Sequence, residues 1–217
     1  MNRFAGSVLL VYLAGAGVAS AEQDFSAGLR AGSLGLGVEA SWKPLKYLDI
    51  RIGGNAFTFD DDGSQAGIDY DQELTLESFY LTANILFDNS PMRLTLGGYA
   101  NGNELFMFND SMQDQDIGGV IYPGGGIGTL TSTTTFSSTA PYFGIGYDFK
   151  LKGKLGMSVD FGVLWQGDPV VELTADGALA GDPGFQAALE AERRELEDEM
   201  SNFKAWPVLQ LGVVYRF

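Results

Sequence analysis

The chain has 217 residues, 13 Lys+Arg against 28 Asp+Glu, no His and no Cys, for a formal net charge of −15. This disfavours a thiol nucleophile, a Ser-His triad, an ordinary zinc site, a disulfide framework and a nucleic-acid partner, whose phosphates would be repelled. Gly stands at 30 of 217 positions, near twice its usual ~7% share, which argues against a helical protein.

Residues 1–21 read as a cleavable signal peptide. Arg3 supplies the positive start, residues 4–18 are mostly apolar, and Ala19-Ser20-Ala21 has the form of a cleavage site. The apolar run is shorter than the ~20 residues a spanning helix needs. The mature chain is then 22–217, exported and without disulfides.

From there apolar residues recur with period two, the signature of strands with one apolar face. A first pair is expected at about 24–31 and 34–43, joined by a tight turn at Gly32-Ser33. In the second strand Leu34, Leu36, Val38, Ala40 and Trp42 alternate with Gly35, Gly37, Glu39 and Ser41. The third, about 47–60, slips phase between Ile52 and Phe57, and Gly53-Gly54 there predicts a β-bulge. Further strands are expected at about 72–87, 92–107, 137–150, 154–174 and 204–217. The clearest alternation sets Leu155, Met157, Val159, Phe161, Val163 and Trp165 against Gly156, Ser158, Asp160 and Gly162.

Connections at 43–46, 88–91 and 151–153 are short; those at about 61–71, 109–136 and 175–203 are long. Membrane barrels of the outer-membrane type have short periplasmic turns and long outer loops. With both termini periplasmic the strand number is even, and these turns imply eight strands. The apolar faces carry aromatics near strand ends (Trp42, Phe87, Phe149, Trp165, Tyr215, Phe217), as interfacial girdles do. The opposite faces are rich in Gly and charge, which suits a packed lumen better than a soluble surface. The expected fold is all-β: an eight-stranded antiparallel up-and-down transmembrane β-barrel with a short helix in its last outer loop.

An eight-stranded barrel is just wide enough to be filled by side chains. The inward positions provide Arg30, Glu39, Arg51, Arg93, Tyr99, Asp148 and Asp160 as lumen candidates, accompanied by Tyr80, Asn84, Asn101 and Tyr142. Two readings stay open. The charges pair and only close the lumen, or they line a narrow, gated path for a small solute. Charge alone does not choose, although an obstructed path is expected.

The outer loops hold most of the acid. Asp60, Asp61 and Asp62 with Asp69, Asp71 and Glu73 attract cations weakly, but Thr58 stands where a calcium loop needs its first ligand. Residues 117–138, rich in Gly, Ser and Thr, read as a mobile loop, and Gly124-Gly125-Gly126 lacks the Lys of a phosphate loop. A helix is expected over about 183–203, capped by Asp182 and started by Pro183. Its apolar face is Phe185, Leu189, Leu196, Met200 and Phe203, and charged residues cover the rest. It forms a lid over the barrel mouth or a partner surface.

The last residues carry the most specific signal. Gln210, Gly212, Tyr215 and Phe217 resemble the C-terminal signal by which the barrel assembly machinery recognises outer-membrane barrels. The second half also resembles the CarO-like family of small outer-membrane barrels. The likeness rests on Ala140-Pro141-Tyr142-Phe143-Gly144-Ile145-Gly146, on Gly167-Asp168-Pro169-Val170-Val171-Glu172-Leu173-Thr174, on the acidic helix and on Trp206-Pro207-Val208. A weaker likeness covers Leu36 to Phe59 and Leu74 to Phe87. The resemblance implies a Gram-negative outer membrane, with lipid and lipopolysaccharide as surroundings. It also implies uptake of small, often basic, amino acids such as ornithine, and it assigns no binding residue. The expected function is passive passage of small cationic solutes. The alternative is a closed barrel that supports the envelope or binds a partner. Outer-membrane lipid enzymes usually activate Ser with His, so no enzyme, cofactor or metal is expected.

Overall fold

The structure is a computed structural model that describes residues 25–65, 68–110 and 112–217, with the backbone alone at 61–65 and 68–71. The signal peptide expected at 1–21 and most side chains of the acidic cluster around 60–73 lie outside the described residues.

Eight strands close into one antiparallel ring. They are β1 (Phe25–Gly32), β2 (Gly35–Leu45), β3 (Leu48–Gln65), β4 (Ile68–Leu86), β5 (Met92–Asn101), β10 (Thr139–Lys150), β11 (Leu155–Trp165) and β13 (Ala205–Arg216). Each pairs with the next, and β13 returns to β1 with Ala27 opposite Tyr215. The wall is uneven. The β1–β2 turn at Ser33-Leu34 is tight, so the ring is low there, whereas the β3–β4 hairpin runs unbroken to Gln65 opposite Ile68.

On the tall side three short strands continue the barrel strands beyond it. These are β6 (Glu104–Asn109), β9 (Leu130–Thr135) and β12 (Val170–Ala175), paired in the order β4-β6-β9-β12. The long connection before β9 holds a small hairpin, β7 (Gln115–Ile117) and β8 (Val120–Tyr122), and a one-turn helix α1 (Gly124–Ile127). The helix α2 (Pro183–Met200) and a 3-10 turn at 201–204 lead into β13. We call this second storey the cap.

The period-two pattern explains the lower storey. Leu29, Leu36, Phe79, Leu81, Phe143, Phe161 and Leu211 all point away from the lumen and are exposed. So are the aromatics at the strand ends, Trp42, Phe87, Phe149, Trp165, Tyr215 and Phe217. In water such a belt would drive aggregation; in lipid it is the expected outer surface. Strands of 10 to 12 residues such as β5, β11 and β13 match the ~9–11 residues that cross a bilayer at a tilt. Among the described residues no helix is long and apolar enough to cross. Inside, glycines make room for large side chains: a Cβ on Gly146 would fall on the Arg93 guanidinium, and one on Gly53 would meet the Tyr80 ring.

Several expectations need correction. β3 keeps register against both neighbours through Gly53 and Gly54, and the irregularity lies between Trp42 and Leu45. The apolar phase changes at Phe57 because β2 ends below it. Phe57 lies over Gly35, which has φ +89, and a Cβ on Gly35 would sit 2.6 Å from the Phe57 Cβ. The expected long loop at 61–71 is largely strand, because the hairpin continues past the low wall. The expected mobile loop at 117–138 instead contains β8, α1 and β9, packed under α2. The strands expected at 92–107 and 154–174 each break, at 102–103 and 166–169, where barrel gives way to cap.

Candidate functional site

The lumen is layered from the end carrying Phe25 and Phe217, the turn end, to the cap, the loop end. At the turn end a vestibule of about 580 Å³ opens, lined by Lys43, Lys46, Lys150 and Arg216 at its rim and by Asp49, Arg51 and Asp148 at its floor.

Above it the charged side chains form one connected network. Arg30 (β1) binds Glu39 (β2) at 2.9 Å and also pairs with Asp160 (β11). Asp160 reaches Arg93 (β5) at 2.6 Å. Arg51 (β3) binds Asp49 at 2.8 Å, Asp148 (β10) at 3.4 Å and Glu39 at 3.6 Å, and Arg93 closes the circuit to Asp148 at 3.5 Å. Six of the eight barrel strands supply a member. Of these charges only Asp148 is not buried, and Arg93 is fully so. Burial without partners would be prohibitive, so the alternating sign is what allows three guanidiniums inside so narrow a tube. Removing Arg51 would leave Asp49 with no ion pair, and removing Asp160 would leave Arg30 and Arg93 with one carboxylate each. Asn84 extends the network, donating to Asp49 and accepting from Thr95 at 2.7 Å.

A layer of tyrosines follows. Tyr80 donates to Glu39 at 3.0 Å and stacks on Tyr99 at 4.9 Å, which meets Tyr142 at 5.4 Å. Only about 10 Å³ is open between this layer and the charges, about one water probe. Beyond the tyrosines an apolar seal of Leu34, Ala140, Leu164 and Val208 closes the bore, with Trp206 against it. Leu34 reaches the bore because Ser33 is stapled to β13: its amide donates to the Leu209 carbonyl at 2.9 Å and its hydroxyl to that of Pro207 at 2.9 Å.

The strand breaks lie just above. Gln166, fully buried, donates to the Phe203 carbonyl at 2.9 Å and accepts from Asn103 at 3.2 Å, joining the two breaks to the helix end. The cap then has its own apolar core of Ile117, Ile127, Phe185, Ala188 and Leu189, with Tyr122 meeting Phe185 edge-on at 4.9 Å. Asp182 caps α2 by accepting the Phe185 N–H at 2.9 Å.

The acidic face of α2 is partly a docking face. Glu197 accepts the Val171 N–H of β12 at 3.2 Å, and Glu192 accepts the Gly118 N–H of the β7–β8 hairpin at 2.8 Å. Arg193 binds Glu197 at 2.5 Å and grips Glu190 with two bonds of 2.8 Å. The hydrogen bond from Arg193, with help from Arg194, holds the Glu190 carboxyl down at about 2. Between α2 and the inner faces of the cap strands lies a second cavity, of about 540 Å³, open toward the loop end.

All seven lumen candidates thus lie in the bore, Tyr99 in the aromatic layer and the six charged ones in one network. Asp49 was missed, although its spacing from Arg51 puts it on the same face. The Leu34 seal was also missed: Leu34 continues an outward-facing alternation, and only the turn's hydrogen bonds redirect it. Gln210 points inward and is fully buried, donating to Asn55 at 3.0 Å, whereas Tyr215 and Phe217 stand outside.

A closed eight-stranded antiparallel ring with a polar, filled bore and an apolar outside defines a β-barrel protein of the outer-membrane type. Among the solved structures similar to this chain are two from Acinetobacter baumannii. CarO is 22% identical, with a TM-score of 0.60 over 88% of this chain and 97% of that one. CarO2 is 22% identical, with a TM-score of 0.61 over 89% and 98%. The chain therefore has a CarO-like fold. No protein-family model and no curated protein sequence matches it.

Proposed function

We propose that the chain sits in the outer membrane of a Gram-negative bacterium as a barrel that is closed at rest and holds its cap at the cell surface. One observation carries this reading: the bore is filled by the ion-pair network, the tyrosines and the Leu34 seal, leaving about 10 Å³ between charges and tyrosines. In this reading the turn end faces the periplasm and the lipid-facing belt contacts phospholipid and lipopolysaccharide. Residues 1–21 are the export signal. Gln210, Gly212, Tyr215 and Phe217 are what the assembly machinery reads. The absence of His from the sequence supports a non-enzymatic role.

A second reading is gated passage of small cationic or basic solutes. It is favoured by a cavity at each end of the filled bore, and by the acid excess, which would enrich cations at the mouth. Planar-bilayer recording of the purified protein separates the two. We expect no channel events from the native chain, and events from a Leu34→Gly, Tyr99→Ala double variant. Steady cation-selective conductance of the native chain would overturn the closed reading in favour of passage.

A further inference from the structure

We propose that the cavity in the cap is a binding site for a small amphiphilic organic cation, an ammonium group on a short apolar body. The cavity lies beyond the Leu34 seal and is reached from the loop end, so this inference does not depend on whether the bore conducts.

The lining is mixed: Met107, Leu130, Leu173 and Leu196 form an apolar side and Gln72, Asn109 and Gln115 add polar groups, around a space of about 540 Å³, a size typical of small-molecule sites. One polar group is stranded in that wall. Ser132 is only 6% exposed, and its hydroxyl has no hydrogen-bond partner among the described residues. A buried hydroxyl without a partner is costly, and a ligand polar atom would relieve it.

The charge around the opening is of one sign. Asp116, Glu192 and Glu199 line the cavity, and Glu195 joins them in an adjoining cleft of about 380 Å³. Among the described residues no Lys or Arg lines either space. Glu192 is occupied by the Gly118 N–H, but Asp116, Glu195 and Glu199 have no ion pair among the described residues. The helix arginines are turned to Glu190 and Glu197 instead. The potential at the opening is therefore negative and uncompensated.

A hard metal ion does not fit. Calcium and magnesium need convergent oxygens at short range, and among the described residues no group of three or more carboxylates is placed to hold a metal. Spread carboxylates beside an apolar wall suit a weakly hydrated organic cation: the ammonium rests among Asp116 and Glu199, the apolar body lies against Met107 and Leu173, and a polar tail reaches Ser132.

The test uses the full chain in lipid nanodiscs with methyl-labelled Met, Ile and Leu, titrated with 6-amino-1-hexanol. We expect saturable shifts at Met107, Leu130, Leu173 and Leu196. 1,6-Hexanediol should bind about tenfold more weakly and 6-hydroxyhexanoate not measurably. Asp116→Asn with Glu199→Gln should weaken binding by roughly three- to tenfold. Leu173→Trp should abolish it by filling the space, and Leu196→Phe provides a milder filling should the larger side chain disturb the cap. Equal binding of the three probes, shifts that do not saturate, or binding unchanged in a folded cavity-filled variant would overturn the proposal.

Discussion

Along β4, Tyr80, Thr82 and Asn84 face a polar bore while Leu81 and Ile85 face outward. Farther up the same strand Leu74 and Leu76 face inward, and Glu73 and Glu77 face out. The hydrogen-bonded ladder crosses this boundary without a register shift, so the backbone is indifferent to it. What inverts is the solvent. Where lipid surrounds the wall, the apolar face goes out and the inward polar groups must satisfy one another. Where water surrounds it, apolar side chains go in and form an ordinary core. Barrel and cap thus obey one rule under opposite surroundings, and the pattern inverts between Glu77 and Phe79, where we place the membrane edge.

The sharpest way to break this comparison is to remove a buried charge. Asp160→Ala removes the carboxylate shared by Arg30 and Arg93, leaving Arg30 only Glu39 and Arg93 only the more distant Asp148, and should cost about 3–5 kcal/mol in urea unfolding from lipid vesicles, a loss of the whole barrel. Phe185→Ala should cost a similar ~3–5 kcal/mol but locally. We expect proteolysis within the cap while the barrel keeps its heat-resistant gel mobility. Third, Leu96→Arg, in the middle of the outward face of β5, should cost about 2–4 kcal/mol of vesicle-bound stability, and Glu77→Arg on the cap wall close to zero. Equal costs at the two sites would refute the assigned boundary. A smaller effect is expected from Asp182→Ala, about 1 kcal/mol from the lost cap, read as earlier exchange of the first α2 amides. Smallest is a pH effect. The Glu190 carboxyl is depressed from 4.5 to about 2 by Arg193, so its contribution is full above 4.5 and fades as pH falls toward 2. The amide signals of α2 should broaden over that range in the native chain and not in Glu190→Gln.

The lower storey was legible because lipid enforces strict alternation. Each residue from Leu155 to Trp165 takes the face its parity assigns, and Leu164 is the one large apolar side chain on the inward face, where it joins the seal. Turn lengths then gave the strand number. The helix was legible from Asp182, Pro183 and the spacing of Phe185 and Leu189. The cap sheet was not, because its partners are distant in sequence: Leu74 pairs with Leu105, and Leu105 with Thr134. Segments such as Thr131-Ser132-Thr133-Thr134 have little apolar content to signal a strand. The pairing of particular charges was also beyond the sequence, since parity gives the face of Arg51 but not its reach to Asp148.

The cap also leaves something the closed ring does not have. Among the described residues β12 is the last strand of its sheet, with β9 beside it. A bare strand edge invites another chain to pair with it. Here the carboxylate of Glu197 takes the Val171 N–H, Arg193 holds that carboxylate in place, and α2 packs along the strand. The helix thereby acts as an edge guard. A charged helical segment thus covers a strand edge that could otherwise pair with that of another chain.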